Sequence, residues 1–188
     1  MHSLLLTLCL LSTHDGPDPV LSYSLQPESV RNGQLQGDSG PAITLKSSLD
    51  FAPGNEGGGA ELTAEDFLLL ESGDPSESVL LPRREMTVSA WLSVSEPRQW
   101  GGVLGCIQDN DDAETGWVLG YNNRRFTFGI ATDGADDGNG SMTYLEGTTS
   151  YELGRLYHLV ATYDGATACL YVNGRLESRT ALQSGDIL

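Results

Sequence analysis

Basic residues are scarce in this sequence. Ten Lys and Arg stand against 26 Asp and Glu in 188 residues, a formal net charge of −16, and a field of that sign repels phosphate backbones instead of releasing counterions from them. Nucleic acid is therefore not expected as a partner. Long apolar runs are missing too: the one stretch that could enter a membrane, Leu4 to Leu11, has eight residues where about 20 are needed to span a bilayer. No transmembrane segment is expected. Histidine and cysteine number three each, too few and too scattered for a zinc site. Also absent is the recurrence of apolar residues at three and four that marks a long helix.

What is present describes a loop-rich chain able to bury one core: 39% hydrophobic residues, 23 glycines and only 19% charged residues, in a length suited to a single domain. The Leu4–Leu11 run matches the hydrophobic region of a secretory signal peptide, so residues 1–14 are assigned as an export leader and 15–188 as the domain. With the leader removed, Cys106 and Cys169 remain, an even count that an oxidising compartment could pair, although a thiol in an apolar strand is equally at home as a small hydrophobe.

The recurring pattern is alternation. Met86, Val88, Ala90, Leu92 and Val94 share one face of a strand and Thr87, Ser89, Trp91 and Ser93 the other. Phe126, Phe128 and Ile130 alternate with Thr127, Gly129 and Ala131, and Ala168, Leu170 and Val172 with Thr167, Cys169 and Tyr171. Period two with one apolar face predicts half-buried strands. Leu156 to Tyr163 is apolar on both parities and predicts a central strand covered on both sides. Val20–Leu25 and Ser48–Phe51 are expected as edge strands, with loops at Pro53–Gly59 and Glu71–Ser78. Asp164-Gly165 and Asn173-Gly174 supply the positive φ angles that tight hairpins need, and acidic loops run from Asp109 to Glu114 and from Asp133 to Gly140. Many short strands separated by such turns predict an all-β, antiparallel two-sheet sandwich.

Three segments carry a family resemblance: Met86–Leu92 (MTVSAWL), Gly154–Gly165 (GRLYHLVATYDG) and Thr167–Gly174 (TACLYVNG). Together they resemble the laminin G-like, concanavalin A-like lectin and glucanase superfamily, whose strands run F-T-[IV]-S-A-W, then W-[HY]-H-V-A-x-T-Y-D-G, then x-L-Y-V-[ND]-G. Leu156 stands where the aromatic is usual. The resemblance implies a jelly roll over roughly residues 20 to 188. It also implies a further strand and a closing segment after the L-Y-V-N-G hairpin; neither is visible in Leu182–Leu188 (LQSGDIL), so the jelly roll is expected to lack its last strands. Such modules bind glycans or proteins outside the cell, or accompany a catalytic domain. The resemblance thus implies a non-catalytic extracellular, periplasmic or cell-surface recognition or spacer module, and as the alternative an accessory N-terminal domain of a secreted hydrolase such as a metallophosphoesterase or glycoside hydrolase, its catalytic part lying downstream.

The residues themselves offer little catalysis. Glucanases of this superfamily hold two carboxylates on one strand as E-x-D-x-x-E, a triplet absent here. Gly37–Gly40 (GDSG) looks like a protease nucleophile loop, but the upstream histidines are only His2 and His14, and His158 is expected to pack in a strand. Calcium needs several oxygen ligands on flexible loops. The candidates are Asp109, Asp111 and Asp112 in one loop and Asp133, Asp136 and Asp137 in the other, without EF-hand spacing. Solvated loops are the plainer reading. A sugar needs an exposed aromatic platform beside hydrogen-bonding groups. Trp100, Trp117, Tyr121 and Tyr144 are candidates, and Tyr121 with Asn122 and Asn123 is the preferred cluster, set against the tendency of strand aromatics to be core. Asn139-Gly140-Ser141 is a glycosylation sequon.

Overall fold

The computed structural model describes residues 4–7 (backbone only), 20–54, 58–63, 66–70, 81–108, 114–134 and 142–188. Apart from one 3-10 turn at Pro27–Ser29, the described residues form strands and turns, as period-two patterning requires. They divide into two compact units, Met1–Leu80 with Ser89–Glu96 and Leu153–Tyr157, and Leu81–Val88 with Pro97–Glu152 and His158–Leu188.

In the first unit a small antiparallel sheet joins β2 (Val30–Arg31), β3 (Gln34–Leu35) and β4 (Ile43–Thr44). A second set runs β5 (Asp50–Ala52), β6 (Gly59–Leu62), β1 (Leu4–Thr7) and β7 (Met86–Val94), all antiparallel, with β1 between β6 and β7. The backbone of part of the apolar run assigned to the export leader is thus hydrogen-bonded as a strand. Tyr23, Leu25, Leu35, Ala60, Leu92 and Val94 are the buried centre of this unit. The expected strand at Val20–Leu25 is reduced to a single bridge, Ser22 to Ser39. Leu25 carries a positive φ of 49°, which ends extended pairing there. Ser48–Phe51 contributes its last residues to β5. The Glu71–Ser78 loop lies outside the described residues.

The second unit is a two-layer sandwich. One layer is a four-stranded antiparallel sheet in the order β11 (Thr143–Ser150), β10 (Arg125–Ile130), β9 (Thr115–Asn122), β8 (Gly101–Gln108). The other holds β12 (Tyr157–Tyr163), β13 (Ala168–Val172) and β14 (Arg175–Thr180), again antiparallel. β13 and β14 lie against β10 and β11. Register puts Phe128 opposite Leu119 and Leu145, Phe126 opposite Tyr121, and Ile130 opposite Trp117. These side chains form one apolar face, and Leu159, Ala161, Tyr163, Ala168, Leu170 and Val172 are buried from the other layer.

Two expectations change. β12 is not covered on both sides: Tyr157, Leu159, Ala161 and Tyr163 are buried while His158, Val160 and Thr162 are only half-buried. A β-branched or ring side chain on a half-exposed sheet face still reads as apolar in sequence, which hides the alternation. A strand does follow the Asn173-Gly174 turn. β14 (RLESRT) was masked by its polarity, which suits its position at the edge of its sheet. The two hairpin turns form as expected, with φ of 50° and 77° at Asn173 and Gly174 and with the Asp164 carboxylate accepting the amides of Ala166 and Thr167 at 3.0 and 2.7 Å.

The segment after β14 is tied in through polar contacts. Gln183 is fully buried. Its Oε1 accepts the Thr132 amide at 2.8 Å and the Thr132 hydroxyl at 2.7 Å, and its Nε2 donates to the Thr143 hydroxyl at 2.8 Å. On β14, the Glu177 carboxylate accepts the amides of Thr148 and Thr149, both at 2.8 Å, and the Thr149 hydroxyl. These bonds cross from one layer of the sandwich to the other and fix the register of β11 against β14.

Candidate functional site

The face of the four-stranded sheet turned away from β13 and β14 has an unusual composition. Register aligns Gly105, Val118, Gly129 and Tyr144 in one row across the strands, and Gly102, Gly120, Thr127 and Glu146 in the next. Asn122 and Arg125 continue the face toward the β9–β10 turn. Four of the eight residues in those two rows are glycine, which weakens a strand and persists where something must approach the backbone closely.

At Gly105 and Gly120 it is the backbone of the neighbouring strand that approaches, and at Gly129 it is the ring of Tyr144. Trp100, immediately before β8, turns with a φ of +58°, a backbone conformation that is a genuine outlier for a bulky side chain. Its ring meets that of Tyr144 on the far strand, with centroids 5.2 Å apart and planes tilted by 54°. Gly129 makes room for the second ring. A Cβ at Gly129 would stand 2.7 Å from Tyr144 Cε1, so any larger residue would lift the ring off the sheet. Both rings are nonetheless open to solvent, Trp100 at 58% exposure and Tyr144 at 37%. Exposed apolar rings backed by glycine form a corner with two stacking surfaces.

Polar groups border the corner. Arg125 Nε lies 3.5 Å from Glu146 Oε1, and Arg125 Nη1 donates to the Gly147 carbonyl at 3.0 Å. Asn123 Nδ2 donates to Asn122 Oδ1 at 3.0 Å, leaving the Asn122 amide nitrogen as a donor on the outer face. The turn itself is firmly held. The Asn123 amide donates to the Arg98 carbonyl at 2.7 Å, the Tyr151 amide donates to the Arg124 carbonyl at 3.0 Å, and the Tyr151 hydroxyl donates to the Asn123 carbonyl.

The preferred cluster from sequence is therefore split. Asn122 and Asn123 are at the surface, but Tyr121 is 6% exposed and faces inward, opposite Phe126. Its ring sits where a Cβ on Gly101 would come within 2.2 Å of it. It meets Tyr151 edge-on at 6.0 Å, and Tyr151 stacks on Phe126 at 4.9 Å. Burial raises the Tyr121 phenol pKa, with Arg98 pulling it down, and pushes Tyr151 up to about 12, reinforced by Tyr121 and opposed by Arg124. Neither phenol is a platform for a ligand. Trp117 is likewise core, at 8% exposure. The alternation of β9 puts Trp117, Leu119 and Tyr121 on one face, so the choice between faces needed the partner strands. Gly129 in the middle of a strand was the available signal for the platform, as strand glycines mark close approach.

Of the calcium candidates, Asp109, Asp111, Asp112, Asp136 and Asp137 lie outside the described residues. Asp133 is described, and its Oδ1 accepts the Asp186 amide at 2.7 Å, a bond that anchors the segment after β14. Among the described residues no three His, Cys, Asp or Glu side chains gather as a metal group would require. Cys106 and Cys169 are both thiols. Cys106 is on the edge strand β8, two strands from β10, whereas β13 lies against β10 and β11; with strands about 4.8 Å apart in a sheet, that placement does not suit a bridge, which needs Cα atoms within about 7 Å. His158 is half-buried on β12, and burial lowers its pKa. Its amide donates to Asn173 Oδ1 at 2.9 Å, binding the strand to the following hairpin turn.

Comparison with known proteins agrees with the architecture. Over an alignment 118 residues long that covers 57% of this chain, it is 32% identical to Pappalysin-1 of Mus musculus and 30% identical to Pappalysin-1 of Homo sapiens. It spans only 7% of the length of those relatives. Residues 71–187 match a laminin G-type family model, and this chain belongs to the concanavalin A-like lectin/glucanases superfamily.

Proposed function

We propose that this chain is a non-catalytic recognition module acting outside the cell, and that it binds a glycan stacked on Trp100 and Tyr144. The observation that carries the reading is an exposed tryptophan held at positive φ against a second exposed ring that packs at Gly129. A backbone outlier of this kind costs roughly 1–3 kcal/mol and persists where function requires it. A pyranose presents an apolar face rimmed by hydroxyls. The rings suit the face, and Asn122, Arg125 and Glu146 suit the rim. The test is titration with an oligosaccharide panel, read by tryptophan emission and calorimetry on the intact chain and on Trp100→Ala. Saturable binding that the substitution abolishes is expected. Binding that survives the substitution overturns the site.

The second reading, an accessory domain of a larger secreted hydrolase, is favoured by the match to a small portion of much longer proteins. It predicts a folded domain that binds no oligosaccharide in the same titration.

A further inference from the structure

We infer that the glycan bound at this corner is a bent or helical chain, of the kind that β-1,3- and α-1,4-linked glucans form, and that the angle between the Trp100 and Tyr144 rings selects it over flat, ribbon-like chains. The inference rests on the stacking role proposed for the two rings and adds the shape class of the ligand.

The two rings are in contact, with centroids 5.2 Å apart and planes tilted by 54°. A separation of that size is comparable to the width of one hexose, so the pair serves neighbouring sugars of a chain and not distant ones. The tilt then sorts chains by shape. A sugar stacks with its apolar face parallel to the aromatic ring beneath it. In a β-1,4-linked chain successive residues are flipped yet keep nearly one plane, so a residue flat on Trp100 leaves its neighbour unable to lie flat on Tyr144. In a β-1,3- or α-1,4-linked chain each linkage turns the next ring out of the plane of the last. Successive residues of such a chain follow two surfaces that meet at an angle, whichever side of the corner the chain takes.

The angle is set by the fold. Trp100 carries a φ of +58° and lies between two tethered positions: Gly101 is paired with Tyr121, and the Arg98 carbonyl accepts the Asn123 amide at 2.7 Å. On the other side, pairing with Gly129 fixes the place of Tyr144 on β11. The missing side chain of Gly129 lets the ring lie close to the sheet, where a Cβ would stand 2.7 Å from Tyr144 Cε1 and from Met142 Sδ. A ring pair anchored from both strands presents its angle before the ligand arrives, and such preorganisation favours the chain that already fits. Charge offers no rival basis for the choice, because Arg125 and Glu146 at the rim face each other at 3.5 Å and answer one another. The surface alongside is low. Among the described residues, a Cβ on the exposed Gly102 would meet only Val118 Cγ2, at 3.8 Å, which leaves a chain that turns at the corner room to continue over β8.

The experiment is calorimetric titration of the full chain with three uncharged hexasaccharides of equal length: laminarihexaose (β-1,3), maltohexaose (α-1,4) and cellohexaose (β-1,4). The proteins are the wild type, Trp100→Ala, Tyr144→Ala and Tyr144→Phe. The expected result is that one of the two bent chains binds about three- to tenfold tighter than cellohexaose, the margin that a second ring contact supplies. Tyr144→Ala leaves a single ring, on which a sugar of any chain can stack; it brings the bent chain down to the affinity of cellohexaose and leaves cellohexaose unchanged. Tyr144→Phe, which keeps the ring, keeps the margin. The tighter of the two bent chains identifies the linkage. Equal or tightest binding of cellohexaose, or a margin that survives Tyr144→Ala, overturns the inference and leaves the stacking site in place. Absence of binding by all three hexasaccharides overturns the inference, and the glycan reading falls with it if the wider oligosaccharide panel is silent too or if binding is indifferent to Trp100→Ala.

Discussion

The four-stranded sheet carries two faces built from the same strands, and they follow opposite rules. Inward, Trp117, Leu119, Phe126, Phe128, Ile130 and Leu145 are large and buried. Outward, Gly102, Gly105, Gly120 and Gly129 remove side chains altogether, Tyr144 packs at Gly129, and the Trp100 and Tyr144 rings remain exposed. The inner face minimises voids, as a core must. The outer face gives up strand propensity and accepts a tryptophan at positive φ in return for an exposed corner of two rings. One face is optimised for stability and the other departs from it, the pattern expected where a sheet is also used for recognition.

Phe128→Ala is the largest test of this contrast. Phe128 is fully buried between Leu119 and Leu145, and truncation leaves a cavity costing about 3–5 kcal/mol. Chemical denaturation should show a correspondingly lower midpoint. A loss below about 1 kcal/mol would mean that the inner face is not a packed core. Gln183→Ala comes next. It removes the acceptor of the Thr132 amide and hydroxyl in a fully buried position, so a cost of about 2–3 kcal/mol is expected from the unsatisfied donors. Thr143→Val removes the acceptor of Gln183 Nε2 and leaves the bonds to Thr132 in place; it separates these two contributions in the same denaturation measurement.

Alkali sharpens the contrast from the inner side. Tyr151 has its folded pKa raised to about 12 by burial first and by Tyr121 second, above the unfolded value of about 10. Between those values the unfolded chain has lost a proton that the native chain retains, so stability falls as pH rises from about 10 to about 12 and is unaffected by this group below that window. Tyr151→Phe removes this group's share of the dependence while keeping the stack on Phe126; Tyr121 and Tyr163, whose phenols burial also raises, retain theirs. Denaturation midpoints for both proteins across that range check the sign.

The inner face was largely legible in the sequence and the outer one was not, for a physical reason. Phe126, Phe128 and Ile130 announce a buried face by alternation alone, and the strand Met86–Val94 and the Asp164-Gly165 and Asn173-Gly174 turns follow from local chemistry. A platform is a relation between strands. Trp100 and Tyr144 are 44 positions apart in sequence and meet only because β8 and β11 flank β9 and β10 with glycines between. Tyr121 was favoured because two asparagines adjoin it in sequence, yet residues adjoining along a strand point to opposite faces. β14 was missed because a polar edge strand carries little apolar periodicity.

Gly129→Val moves to the outer face and to smaller costs. The added atoms meet Met142 Sδ and Tyr144 Cε1 at 2.7 Å, the ends of side chains that can shift, so roughly 1–2 kcal/mol is expected. Ligand affinity should fall much further than stability does, because Tyr144 can no longer lie beside Trp100. Equal proportional losses would indicate that Gly129 serves packing alone.

Trp100→Gly should perturb the fold least. The ring is more than half exposed, so little buried area is lost, and glycine adopts a φ of +58° without the steric cost that tryptophan bears. The two effects oppose each other, and the net change is expected within about 1 kcal/mol of zero, with a small gain the favoured sign. Trp100→Ala retains the positive φ with a Cβ and should be the less stable of the two. The glycine variant should nevertheless abolish oligosaccharide binding. Thermal melts of both variants, set beside the titrations, separate the roles. A stabilised protein that no longer binds identifies Trp100 as a residue kept for recognition at the expense of backbone ease, whereas a clear loss of stability in Trp100→Gly would make the Trp100–Tyr144 contact part of the fold.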